Sequence, residues 1–331
     1  MKFQTKGGYV FPSVILILTL IISTLVYSAS LQKSNVEIIN NFKKNLIIEE
    51  EIKAIELVIL DYLNKLYNSN NDLSLGSNFE RNYETTSNGI INVNLTISDD
   101  CFNVNSLVYR NANNQLVLSE LEFKRAQLIF KKSNIETDFL INIIDWLDED
   151  QLNFNGVNED EIYLKNNFNW KPRNNLAITN EELFMIPSAQ NTNKLIRNII
   201  CANLYTKKIN IKKLSEKKLS LYLPFLDVEQ SKKVLNIIQK EFWLNSNIDN
   251  KTENNIANLV KEIEYVLGRG LKKDEEKFLK NIGFVSKSIE ANITYQTKEN
   301  KKYYSFSKFE VNQDKNVKII YRYGPFLKIN I

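Results

Sequence analysis

The first long pattern in the chain is unbroken apolarity. From Tyr9 to Tyr27 no residue carries a charge, and a run of about 19 such residues is long enough to cross a bilayer as a helix. Pro12 falls in what would be the first helical turn, where its missing N–H has no helical acceptor to lose. Beyond the run the rhythm becomes amphipathic, with Ile52, Ile55, Ile59, Tyr62 and Leu66 spaced for one helical face. This spacing predicts a helix that continues to about Tyr67.

The period then drops to two. In GIINVNLTIS, from Gly89, the residues Ile91, Val93, Leu95 and Ile97 alternate with polar ones, which predicts a half-buried strand. CFNVNSLVYR from Cys101 and NQLVLSE extend the β signal. IEANITYQ, KKYYSFSKFEV and VKIIYRYG repeat it near the carboxy terminus, rich in Ile, Val, Tyr and Phe. Between these two β regions, from about Leu118 to Phe284, the periodicity is mostly helical. The pattern predicts an α+β chain with a helical stretch set between strands.

Composition narrows the chemistry. The 331 residues are 43% apolar, enough for a sizeable core. A net charge of +4 at this length favours neither a nucleic-acid binder nor an enzyme for acidic substrates. There is no histidine and there are two cysteines, which excludes Ser-His-Asp and Cys-His nucleophiles and the usual zinc sites. Any metal must be held by oxygen, as calcium, magnesium or manganese are.

One segment concentrates such oxygens. DWLDEDQLNFNGVNEDEIY, from Asp145 to Tyr163, holds seven acids within 17 residues and no Lys or Arg. Asp148, Asp150 and Glu159 match positions one, three and twelve of an EF-hand loop. Leu152 and Asn153 break that pattern where an oxygen ligand and a glycine are required. A solvated acidic face, an oxygen-ligated metal and a carboxylate pair for hydrolysis all remain open on the residues alone. Mutual repulsion of the seven acids argues for a compensating cation.

The amino terminus carries a further signal. Lys2 and Lys6 precede Gly7 and Gly8, and the apolar run follows at once. This resembles the leader of type IV prepilins. The resemblance implies cleavage after Gly8 by a prepilin peptidase on the cytoplasmic side, methylation of Tyr9, and an apolar segment retained on the mature protein. Most members carry Glu as the fifth residue after the cut, where it pairs with a neighbour's amino terminus. Ser13 stands there instead, which suits a subunit with no such neighbour to pair, at a filament tip.

The later motifs resemble one family in order and spacing. DDCFNVNSL is similar to a cysteine-bearing CFNLNAL stretch, WLDEDQ followed by NEDEIY to WIDxD and GxEDxxY, LAITNEELFMI to a segment ending in Ser-Glu-Leu, and ICANL…INI to a second cysteine followed by INVNT. Together they resemble the K-type minor pseudopilins of type II secretion systems (GspK, general secretion pathway protein K) over nearly the whole chain. Three positions depart. Gly156 lies three residues before Glu159 rather than two, the glycine after LFMI is absent, and Lys212 and Lys213 replace Asn and Thr.

That resemblance implies a type IV pilin-like α+β fold. Its parts would be a leader at 1–8, a membrane-spanning and amphipathic spine at 9–68, a β body from 69–117 and 285–331, and an inserted helical domain of two subdomains at 118–284. It implies a disulfide between Cys101 and Cys201, which the even count alone leaves open. It implies one or two structural calcium ions held by Asp148, Asp150, Glu159 and Asp160, with Asp145, the Gly156 carbonyl and Asn174 as further ligands. Glu149 and Glu161 would be solvent-facing neighbours.

The implied role is non-enzymatic: a tip subunit nucleating a pseudopilus with I-type and J-type minor pseudopilins and other pseudopilus subunits. The chain would cross the inner membrane once, with its bulk in the periplasm. One motif points elsewhere. LGRGLKK, from Leu267 to Lys273, has the glycine hairpin of a helix-hairpin-helix, whose amides grip phosphate. It supports the alternative of a minor pilin in a related pilus or competence system that touches DNA, although nucleic acid is not the expected partner.

Overall fold

The computed structural model describes residues 10–70, 72–73, 79–149, 158–165, 170–186, 189, 199–242 and 252–327. It divides into two units, Met1–Ala54 and Ile55–Ile331, and each is described by itself. The first consists of helix α1, Val10–Asn70, as far as Ala54. Among the described residues α1 is the one helix long and apolar enough to cross a membrane. Many apolar side chains of its uncharged run, Leu16, Leu25 and Val26 among them, are more than half exposed, as a lipid-facing surface requires.

In the second unit α1 continues to Asn70, and its inner stripe is Glu56, Ile59, Leu63 and Tyr67. Ile55, Tyr62 and Leu66, which the spacing placed on the apolar face with Ile52 and Ile59, are half-buried flanks. The stripe is rotated because its centre includes a carboxylate, which a count of apolar positions skips.

The stripe packs on a five-stranded antiparallel sheet of order β1-β2-β9-β10-β11. These strands are β1 (Phe79–Glu84), β2 (Ile90–Ile97), β9 (Ser288–Gln296), β10 (Lys302–Val311) and β11 (Val317–Leu327). Ile91, Val93 and Leu95 are buried as their alternation predicts, and Ile289, Ala291, Ile293 and Tyr295 match them across the β2–β9 pair. Strand β1, FERNYE, is too charged to announce itself. It is held at the edge by Phe79, whose ring stacks on Tyr62 at 5.2 Å, and by the Arg81 guanidinium over Phe79 at 4.8 Å.

Between the neighbours β2 and β9 the chain makes a long excursion. It runs through β3 (Phe102–Asn103), β4 (Val108–Arg110), β5 (Leu116–Leu118), α2 (Glu120–Lys132), α3 (Thr137–Leu147), α4 (Glu159–Lys165), β6 (Ile200–Cys201) and β7 (Ile209–Asn210). It continues through α5 (Glu216–Tyr222), α6 (Val228–Phe242), α7 (Thr252–Leu267), α8 (Lys273–Leu279) and β8 (Ile282–Gly283). One apolar cluster, including Phe102, Phe130, Phe139, Trp146, Tyr222 and Phe284, fills this part. With its long helix, antiparallel sheet and added helices, the chain has the α+β, pilin-like fold expected from the sequence.

CFNVNSLVYR is not the continuous strand that its alternation predicts. A 3-10 turn, Val104–Leu107, interrupts it, because the Asn103 side chain accepts the Asn105 N–H at 3.1 Å and caps the turn.

Candidate functional site

The cysteines show how the excursion is fastened. Cys101 and Cys201 form a disulfide with 5.8 Å between their Cα atoms, beside the parallel pair β3–β6. The asparagines of the same motif complete the fastening. Asn103 donates to the carbonyls of Asn203 and Thr206 at 2.7 and 2.8 Å and accepts the Asn203 N–H at 3.0 Å. Asn105 donates to Ala177 and Asn203 at 2.7 and 3.0 Å and accepts the Ala177 N–H at 2.8 Å. Both are essentially buried. Their amides act as brackets for three chain segments that would otherwise bury unsatisfied backbone.

The acidic segment begins at the end of α3. Thr137–Leu147 is helical because Phe139, Leu140, Ile143, Ile144 and Leu147 form one buried face, and the chain leaves it at Asp148, which is extended (φ −75°, ψ 170°). The Asp148 N–H still bonds Ile144 O at 2.9 Å. Asn174 folds back over this end in the left-handed region (φ +49°), where asparagine is tolerated best after glycine, and donates its N–H to Trp146 O at 3.0 Å. One of the open carbonyls at the helix end is thereby filled.

Asp145 lies in the last turn of α3 and Glu159 at the start of α4, and they are only 3% and 2% exposed. Tyr163 of α4 is buried with its ring 6.1 Å from that of Trp146. Burial first, and then the charges of Asp145 and Glu159, hold its phenol well above the usual tyrosine range. The two carboxylates are thus close enough to act on one phenol. Both carboxylate oxygens of Glu159, Oδ1 of Asp148 and Oδ1 of Asn174 are shielded from solvent.

The other acids of the segment differ. Glu149 and Glu161 are exposed, and Glu149 meets Arg110 at 3.4 Å in a surface ion pair. Asp150 and Gly156 lie outside the described residues, as do Gly8 and Tyr9 at the cleavage position. Asp160 and Ser13 are placed in helices, with their side chains outside the description. Asn175 accepts the Leu176 N–H at 2.8 Å and serves its own turn. Among the described residues no group of three or more His, Cys, Asp or Glu is arranged to hold a metal. The donors that are described are hard oxygens on shielded carboxylates and an amide, a set that suits calcium. A complete shell needs Asp150, Asp160 or the Gly156 carbonyl in addition.

The glycine hairpin between α7 and α8 is closed by its own acids. Gly268 takes φ +65°, the Leu271 N–H donates to Glu264 Oε1 at 3.0 Å, and the Lys272 N–H donates to Glu275 Oε2 at 2.8 Å. Arg269 clasps both Glu275 oxygens at 2.8 Å. Carboxylates already hold amides that a helix-hairpin-helix would offer to phosphate.

Among curated proteins no relative matches the chain. Residues 100–203 match the family model described as type II secretion system (T2SS), protein K. These residues contain both cysteines, the asparagine brackets and the acidic segment. Among solved structures the chain is similar to a chain in the crystal structure of the GspK-GspI-GspJ complex from the enterotoxigenic Escherichia coli Type 2 Secretion System. The match has a TM-score of 0.56 at 14% identity and covers 83% of this chain and 97% of that one. Residues 100–203 are thus similar to protein K of type II secretion systems, and the chain as a whole shares the fold of the chain in that GspK-GspI-GspJ complex.

Proposed function

We propose that the chain caps a secretion pseudopilus, nucleating its assembly with I-type and J-type minor pseudopilins and so supporting protein export. The observation that carries this is the excursion between β2 and β9. A pilin-like frame of one helix and five strands is topped by a fastened body with its own core. Such a bulk hinders stacking along a shaft and is tolerated at an end. The Glu-less Ser13 supports the same position, since a terminal subunit has no neighbour whose amine it must pair. The similar structure is a complex of GspK, GspI and GspJ, which supports I-type and J-type partners here.

The apolar part of α1 would cross the inner membrane once, with the rest in the periplasm, after a prepilin peptidase has cut between Gly8 and Tyr9. The role is structural and not enzymatic. We include structural calcium in the proposal, one or two ions held from Asp148, Asp150, Glu159 and Asp160 with Asp145, the Gly156 carbonyl and Asn174. Bound there, the cation would neutralise the acidic segment and fix its loop. The shielded carboxylates of Asp145 and Glu159 beside Tyr163 support the fit.

The test is co-purification of the full chain from detergent with tagged I-type and J-type subunits. A ternary complex in size exclusion is expected, and its absence overturns the reading. The DNA-contacting alternative draws no support from the hairpin, whose amides at Leu271 and Lys272 are taken by Glu264 and Glu275.

A further inference from the structure

The excursion has a base, where the chain leaves the sheet after β2 and returns to it before β9. Ser98 donates its N–H to Ser288 O at 3.1 Å, and their hydroxyls meet at 2.7 Å. Asp99, 1% exposed, accepts the Lys287 N–H on Oδ2 at 2.8 Å, and its peptide oxygen accepts the Asn210 N–H at 2.8 Å. The segment that follows α1 joins the same place. Asp72 accepts the Ser286 N–H at 2.7 Å, and Leu73 donates to Ser286 O at 2.9 Å. The Asn210 side chain reaches the Ser286 hydroxyl. Two consecutive amides of the returning chain are therefore gripped by carboxylates from two different segments.

The charges at this base are unbalanced. Asp99 faces two like charges, Asp100 and Asp72. The cation facing it is the Lys287 ammonium, which burial and the neighbouring Lys208 and Lys315 hold below the usual lysine range. Asp100 is itself engaged by Lys218 at 2.7 Å. Burial, then Asp100 and Asp72, push the Asp99 carboxyl up to about 8, against the pull of the Lys287 N–H and the Asn210 amide.

We propose that Asp99 is a protonation-controlled latch: while its carboxyl is neutral, the exit from β2 and the return into β9 stay closed on each other, and its ionisation loosens them. The folded value lies above the unfolded carboxylate's 3.8, so the fold favours the neutral form. The contribution to stability is complete below pH 4 or so and is lost as pH rises toward 8. Local opening of the base is the least costly way to readmit water to the charge. This inference does not depend on the filament role.

The experiment uses the full chain in detergent from pH 5 to 9, following the thermal midpoint and the hydrogen-exchange protection of the Lys287 amide. The wild-type midpoint is expected to fall relative to Asp99→Asn by roughly 3 °C per pH unit up to about pH 8. Protection at Lys287 is expected to fall with it in the wild type alone. Parallel profiles for the two proteins overturn the latch. Should Asp99→Asn fail to fold, Asp100→Asn decides: removing a like charge moves the end of the loss to lower pH, and an unmoved profile overturns the proposal.

Discussion

The Glu56 carboxylate, fully buried in α1, is held by the Arg322 guanidinium of β11 and by the Ser307 hydroxyl of β10. A carboxylate in that position costs several kcal/mol to desolvate and is tolerated only because both oxygens are met. Arg322→Met leaves it uncompensated. We expect a loss of about 2 to 3 kcal/mol, toward the low end because the Arg322 side chain is 35% exposed. The double change Glu56→Met with Arg322→Met should cost less than Arg322→Met alone. Denaturant unfolding of the three proteins checks the sign, and a double change more damaging than the single one contradicts the account.

Cys101 and Cys201 are separated by 100 residues. In the chain-entropy model a loop of this size stabilises the fold by up to about 4.7 kcal/mol, less any strain. The asparagine brackets lie beside the bond, so its removal should loosen their neighbourhood first. We expect Cys101→Ala with Cys201→Ala to lower stability by about 2 to 4 kcal/mol. Proteolysis under native conditions should begin within the excursion. Equal stability of the oxidised protein and the double variant would contradict this.

At the α7–α8 hairpin, Arg269 first, against the cost of burial and with help from the Lys272 N–H, holds the Glu275 carboxyl down at about 2. Its unfolded value is higher, so its contribution is present above about pH 4.5 and is lost as pH falls toward 2. Glu275→Gln should flatten the acid limb of the unfolding curve in that window. Glu275→Ala, which leaves no side-chain oxygen to accept the Lys272 N–H, should free that amide and is the sensitive variant for testing phosphate. We expect the wild type to show no binding to duplex DNA even at low salt, where non-specific affinity is strongest.

Much of this fold was legible in the sequence, and the rest was hidden for identifiable reasons. The apolar run of α1 and the alternation in β2, β9, β10 and β11 are local patterns, and the structure contains the helix and strands they predict. The order of the cysteine, acidic and INI motifs was enough to point to protein K. Strand β1 was missed because its edge position is set by aromatic and cation contacts to α1 and not by alternation. The bracket roles of Asn103, Asn105 and Asn210 were also hidden, since an amide's partners lie far away in the chain. Glu56 and Asp99 were invisible for the same reason: a buried carboxylate looks like a surface one until its partners are known. In the acidic segment the composition was legible. The burial of Asp145 and Glu159 against the exposure of Glu149 and Glu161 came only from the way α3 and α4 meet.

That contrast yields the sharpest test of calcium. A cation held by shielded carboxylates raises stability by mass action, about 2.7 kcal/mol at one hundred times its dissociation constant, or roughly 5 to 10 °C in thermal midpoint for a domain of this size. We expect calcium to raise the midpoint of the full chain by that order and a chelator to reverse it. Asp148→Ala and Glu159→Ala should abolish the response, because each removes a shielded oxygen at one end of the segment. Glu149→Ala and Glu161→Ala should keep it, because those side chains face solvent. Magnesium should act weakly, since it demands tighter octahedral geometry and gives up its water reluctantly. If the exposed and shielded pairs respond alike, the acids act only through their summed charge and no ligand shell exists.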